Sequence, residues 1–178
     1  MSTPIFLIGP MASGKSAVGA LLAGLLGTTL IDTDARVIAA HGSIPEIFAA
    51  HGEAGFRRFE SEVMAAAVPT QAQREARATA PAVVATGGGS VLAEANRELL
   101  AHGFCVYLLT DEADVAQRIG ADTTRPLLGS NPLEAWARIF AMRSDLYERT
   151  ATVIIDTRGK RPGQIAGAIL AAYRDAGH

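Results

Sequence analysis

Residues Gly9-Pro10-Met11-Ala12-Ser13-Gly14-Lys15-Ser16 follow the spacing of a phosphate-binding loop: Gly, four residues, Gly, Lys, then Ser or Thr. The apolar run Ile5-Phe6-Leu7-Ile8 before it reads as a buried strand, and the run from Ser16 to Leu26 reads as a helix. Glycine lets backbone wrap closely around phosphate oxygens, and the helix N-terminus adds partial positive charge. Ala12, Ser13, Gly14, Lys15, Ser16 and Ala17 are therefore candidates for holding a nucleotide. Lys15 has the reach for β- and γ-phosphates, and the Ser16 hydroxyl suits Mg²⁺. The pattern by itself specifies nucleotide binding and no acceptor.

Three further clusters could supply acceptor chemistry. Asp32 and Asp34 follow the short apolar run at 29–31, and would share a side if that strand continued. One carboxylate could fix Mg²⁺ and the other could take a proton from an attacking hydroxyl; alternatively, one of them caps the next helix. Gly87-Gly88-Gly89 follow Val83-Val84-Ala85, where bare backbone admits close approach of a ligand, or simply makes a turn. Arg57 and Arg58 lie beside Phe56, Phe59 and Glu60. A guanidinium there could grip a carboxylate, or pair with Glu60 on a solvated helix face.

The elements that must position these groups alternate. Strands are expected at 4–8, 29–31, 83–86, 104–109 and 153–156, and helices at 15–26, 34–41, 44–51, 53–67, 94–102, 111–119, 132–147 and 162–175. Such alternation argues for an α/β fold of three layers, a central five-stranded parallel sheet flanked by helices. Ser43-Ile44-Pro45-Glu46 has the pattern of a capping box. Residues 69–81 read as a polar helix extension or surface loop, and 120–132 as a mobile segment hinged by Gly and Pro.

With 178 residues and 49% hydrophobic content, the chain is long enough for one domain with a sizeable core. A net charge of −2 and fourteen scattered arginines argue against nucleic acid. The lone Cys105 excludes an intramolecular disulfide and reads as a core residue. His41, His51, His102 and His178 show no metal spacing. Trp136 is assigned to packing. No apolar run suggests a membrane span and no signal peptide is apparent, so a cytoplasmic protein is expected.

Taken together, the motifs resemble the shikimate kinase family, a group of small P-loop phosphotransferases related in fold to nucleoside monophosphate kinases. The markers run in family order from Ile5 to about Ala172: the P-loop at 9–16, Asp32-Thr33-Asp34, Phe56-Arg57 with Glu60, Gly87-Gly88-Gly89, Arg125-Pro126-Leu127-Leu128, and Arg143 before Leu146-Tyr147. The resemblance implies one P-loop kinase domain over 1–178, with a substrate-binding helical region at about 33–62 and a lid at about 120–132. It implies ATP-dependent phosphorylation of the 3-hydroxyl of shikimate, in aromatic amino-acid (chorismate) biosynthesis, by a monomer using ATP and Mg²⁺. Lys15, Asp34 and Arg125 would be catalytic, with Asp34 as base and Arg125 closing over the phosphates. Ser16 and Asp32 would hold the metal. Asp34, Arg57, Gly88, Gly89 and Arg143 would bind shikimate, the two arginines on its carboxylate. Arg118 would pack on adenine, and Lys160 would lie in the adenine loop.

Two places depart from the family's pattern. Ala12 stands where glycine is usual, which leads us to expect φ below zero there. Ser144-Asp145 replaces the usual residue and proline, and places an acid where it could pair with Arg143. The alternatives are a kinase of another small hydroxy acid such as gluconate, or a non-catalytic nucleotide-binding paralogue.

Overall fold

A computed structural model of the protein describes residues 3–67, 80–119 and 131–178. Five strands, β1 (Ile5–Ile8), β2 (Leu30–Asp32), β3 (Val83–Ala85), β4 (Phe104–Leu109) and β5 (Val153–Asp156), form one parallel sheet in the order β2-β3-β1-β4-β5. The helices are α1 (Lys15–Leu25), α2 (Thr33–His41), α3 (Ile44–Ala67), α4 (Glu94–Ala101), α5 (Glu112–Ile119), α6 (Pro132–Thr150) and α7 (Pro162–Asp175), with a short 3₁₀ turn at Ser90–Leu92.

The central strands β1, β3 and β4 are buried on both faces, so they are apolar throughout rather than alternating in polarity. The two-residue period still sorts side chains between two cores. Ile5 and Leu7 of β1 join Val83, Phe104, Val106 and Leu108 in one core with α1 and α7. Phe6 and Ile8 join Val84, Cys105 and Tyr107 in the other, against Met64 of α3, Leu100 of α4 and Tyr147 of α6. All four β1 side chains are completely buried, each stabilising the fold by about 1.5–3 kcal/mol relative to an exposed position.

The expected strands and helices are all present, with local differences. The helices expected at 44–51 and 53–67 are a single element, α3, interrupted at Gly52, whose φ of 65° and ψ of −175° are not helical. Glycine is suited to that left-handed φ. The capping box at its start is formed: Ser43 N and Oγ donate to Glu46 Oε2 at 2.9 and 2.7 Å. These bonds hold the Glu46 carboxyl below its ordinary range. β2 does not continue to Asp34. It ends at Asp32, and Asp34 lies in the first turn of α2. A capping carboxylate competes with strand continuation, and here the cap wins. The segment expected at 69–81 falls outside the described residues except for 80 and 81, and the lid at 120–132 except for 131 and 132.

Because all strands run parallel, their carboxyl ends share one edge. β3 lies between β1 and β2, with Leu7 and Asp32 both in register with Ala85. The triple glycine is thereby wedged between the P-loop and the Asp32–Asp34 turn. β1 is also the point where chain order reverses across the sheet, the customary place for a ligand crevice.

Candidate active site

The P-loop wraps the N-terminus of α1. Gly9 has φ 142°, and a Cβ there would crowd the Leu108 carbonyl oxygen at 3.0 Å. Gly14 caps α1 with φ 90° and supplies no side chain to its free amides. Lys15 is buried, and its ammonium donates to the carbonyls of Gly9 and Pro10 at 2.9 and 2.7 Å and to Ser13 Oγ at 3.3 Å. Ser16 Oγ donates to Asp32 Oδ2 at 2.5 Å.

Ala12 overturns the expectation of negative φ. Its φ is 61°, the one positive value at a non-glycine residue among those described. The left-handed conformation costs an alanine about 1–2 kcal/mol. Tertiary contacts offset that cost. Ala12 packs against the cluster of Val115, Ala135 and Trp136, its carbonyl accepts from Arg118 Nη1 at 2.9 Å, and the Met11 carbonyl accepts from Trp136 Nε1 at 3.0 Å.

The second wall comes from α2 and the triple-glycine loop. Asp32 caps α2 by accepting from Ala35 N at 3.1 Å, so it serves the cap and Ser16 together. Thr33 is fully buried, and its Oγ1 accepts from Gly87 N at 2.9 Å. The glycines owe their identity to space, since none of the three has positive φ. A Cβ on Gly87 would collide with the Glu60 carboxylate and approach Asp34 Oδ1 to 2.7 Å. One on Gly88 would press on Met11 N at 3.2 Å, and one on Gly89 would strike the Arg57 guanidinium. The loop presents a carbonyl as well as amides: Gly88 O accepts from Tyr147 Oη at 2.5 Å and Arg143 Nη1 at 3.3 Å.

The third wall is α3. Arg57 donates from Nη1 to Glu60 at 2.8 Å and from Nη2 to Glu53 at 3.2 Å, with its guanidinium 5.2 Å from the Phe56 ring centroid. The pairing with Glu60 is therefore real, but it is buried rather than solvated: the Glu60 side chain is 1% exposed. Arg58 points away, exposed beside Glu62. Burial raises the Glu60 pKa above its ordinary value, and the nearby Asp34 charge adds to the rise. Arg57 and Arg143 oppose it. Glu60 Oε1 and Arg57 Nε are buried and have no hydrogen-bond partner among the described residues. Arg143 is buried, whereas Asp145 is exposed, so the anticipated pairing of these two is not formed. Burial pushes the Tyr147 phenol up to about 12, which keeps it a donor.

These walls enclose a cavity of about 440 Å³. Ala12, Gly14, Lys15, Ser16, Ala17, Asp32, Asp34, Arg57, Gly88, Gly89, Arg118 and Arg143 all line it, together with Ile44, Phe48 and Phe56. Ser13 is buried within the loop, its Oγ accepting from Lys15. Lys160 is not among the lining residues; its ammonium donates to Asp156 O at 2.8 Å within its own loop. That loop packs beside α5, where Gly159 N donates to Asp114 Oδ2 at 3.1 Å. Arg125 falls outside the described residues. Sequence spacing singles out neither Thr33 nor Tyr147 as a contact, nor the bond from Trp136 to the P-loop. Glu60 figures in the sequence as a motif neighbour of Arg57 and as its alternative partner on a solvated face. Burial at long range defines all four, and only the i, i+4, i+11 spacing of Trp136, Phe140 and Tyr147 hints at a shared helix face.

Known proteins resemble this chain along nearly its whole length. A family model described as shikimate kinase matches residues 11–174. The chain belongs to the shikimate kinase family. The shikimate kinase of Streptomyces coelicolor is 42% identical over 97% of this chain and 96% of its own length. That of Halorhodospira halophila is 46% identical over 96% and 93%. The solved shikimate kinase of Acinetobacter baumannii, in complex with shikimate, superposes with a TM-score of 0.87 at 35% identity, covering 99% of this chain and 95% of that one. Shikimate kinases are phosphotransferases that use ATP, and the chain is an enzyme of this kind with the family's P-loop fold. Among the described residues, no helix is long and apolar enough to cross a membrane.

Proposed function

We propose that the cavity transfers the γ-phosphoryl group of ATP to the 3-hydroxyl of shikimate, giving shikimate 3-phosphate for aromatic amino-acid (chorismate) biosynthesis. The observation that carries this reading is the meeting, in one cavity, of the P-loop lysine with Asp34 and with the Arg57–Glu60–Arg143 cluster.

Phosphoryl transfer passes through a loose transition state, so placement and charge neutralisation supply most of the catalysis. Lys15 and the α1 amides take the phosphates, and Arg118 lies on the adenine side, with Lys160 in the loop beyond it. The Ser16 hydroxyl and Asp32 carboxylate are adjacent hard oxygen donors, a set that fits Mg²⁺. Ser16 and Asp32 would hold the ion, which supplies charge neutralisation at the phosphate oxygens. Asp34 orients the acceptor hydroxyl and takes its proton. Arg57 and Arg143 grip the acceptor carboxylate, and the glycine loop leaves room for its ring. The unpartnered Arg57 Nε and Glu60 Oε1 support a ligand that both accepts and donates hydrogen bonds, as a hydroxylated carboxylate does. A neutral analogue would leave the buried Arg143, which has no carboxylate partner among the described residues, uncompensated, and that is the source of selectivity. The helical region at 33–62 is the acceptor-binding part of one kinase domain.

The test is coupled ADP release with shikimate and a panel of small hydroxy acids that includes gluconate. Turnover dependent on shikimate, and lost when Arg57 or Arg143 becomes alanine, is expected. Equal turnover with gluconate, or none with shikimate, would overturn the assignment.

A further inference from the structure

α6 touches both loops of the site. From one face, Trp136 donates Nε1–H to the Met11 carbonyl at 3.0 Å, while Arg143 and Tyr147, two and three turns on, donate to the Gly88 carbonyl. Trp136 is 2% exposed and stacks on Phe140 with centroids 4.9 Å apart, so its ring has little freedom to turn. The Met11 carbonyl belongs to the peptide plane that precedes Ala12. The Ala12 carbonyl belongs to the plane that follows and is held by Arg118. φ and ψ of Ala12 are the rotations between those two planes.

We propose that Trp136 is a positioning residue for nucleotide binding, holding Ala12 in its left-handed conformation by pinning the peptide plane ahead of it. An alanine left to itself favours negative φ. Released from the indole, the Met11–Ala12 peptide would rotate, disturb the turn closed by Ser13 N donating to Pro10 O at 3.3 Å, and take the Gly14 amide out of line with the α1 amides. A glycine at this position accepts either sign of φ and has less need of the pin. The departure at position 12 and the indole are thus two parts of one device. The inference rests on the nucleotide-binding reading of the P-loop.

The test measures ADP binding by calorimetry in the wild type, Trp136→Phe, Ala12→Gly and the double variant. Phenylalanine keeps most of the packing and removes the N–H. The wild type should bind ADP. Trp136→Phe should weaken ADP about three- to ten-fold, the range for one hydrogen bond. It should raise the KM for ATP equally and leave kcat and the KM for shikimate within about two-fold. In the Ala12→Gly background the same change should cost less than about two-fold. An unchanged ADP affinity in Trp136→Phe, or an equal loss in both backgrounds, would overturn the proposal. A wild type that binds no ADP would overturn the nucleotide reading itself, and this inference with it. Should Trp136→Phe fail to fold, the native protein still decides. It has one tryptophan and so one indole N–H resonance. Strong protection of that proton from solvent exchange supports the pin, and exchange at the rate of free indole refutes it.

Discussion

The Ser16 hydroxyl donates to the Asp32 carboxylate at 2.5 Å, fastening the first turn of α1 to the end of β2. Asp32 also caps α2, so one side chain serves the fold and the metal site proposed above. Two substitutions separate these duties. Asp32→Asn keeps a capping oxygen and loses the charge. It should leave the urea midpoint nearly unchanged, lower turnover at least ten-fold and raise the Mg²⁺ concentration required. Asp32→Ala should lose a further ~1 kcal/mol of stability with the cap. Full activity of Asp32→Asn at ordinary Mg²⁺ would remove Asp32 from the metal site.

Asp34 lies in the first turn of α2 and lines the cavity that Lys15 also lines. Asp34→Asn should lower kcat by roughly 10²–10⁴-fold, the range for a positioned general base. ADP affinity should stay within about two-fold. Loss of ADP binding in this variant would make Asp34 a nucleotide ligand instead.

Gly87 has no room for a methyl group because the Glu60 carboxylate and Asp34 Oδ1 occupy that space. Gly87→Ala should raise the KM for shikimate at least ten-fold while moving the KM for ATP little. The forced displacement should also cost about 1–3 kcal/mol of stability. Gly88 abuts Met11 instead, so Gly88→Ala should disturb both KM values. Steady-state kinetics on the two variants distinguishes these patterns.

Glu60 carries a pH dependence whose sign is set by burial. Its folded-state pKa is raised, so the folded protein holds this proton more tightly than the unfolded chain does. Any stability gained that way is present below about 4.5, the unfolded value, and is lost as pH rises through the folded pKa. Relative to Glu60→Gln, the wild type should therefore lose thermal stability between pH 4 and pH 8. Melting curves of both proteins across that range test it, and a wild-type advantage that grows with pH would reverse the assignment. Glu60→Gln should also weaken shikimate binding.

Features that depend on neighbours in sequence were the legible ones. The P-loop spacing, the capping box at Ser43–Glu46 and the helix break at Gly52 each involve only a few consecutive residues, and each was expected or located to within a residue. The apolar runs announced the sheet because a strand buried on both faces has no polar side to interrupt the pattern. Features created by distant contacts were not legible. Ala12 was expected at negative φ because alanine prefers it; Trp136 and Arg118, more than a hundred residues away, impose the opposite. Whether Arg57 grips a ligand or pairs with Glu60 on a solvated face stays open in the sequence, since spacing cannot show that the triple-glycine loop buries Glu60. Tyr147 read as a family marker with no task, and its bond to Gly88 spans 59 residues.

The three glycines at 87–89 have three separate reasons to be glycine: Glu60 and Asp34 for the first, Met11 for the second, Arg57 for the third. In the proposed acceptor site, specificity is accordingly a pairwise trait. A combinatorial library that randomises the loop alone would be almost entirely dead, because each added methyl needs its own partner to retreat. Libraries that vary 87 with 60, and 89 with 57, would reach altered acceptors by paired steps, while 88 stays fixed by a backbone that no codon can shrink.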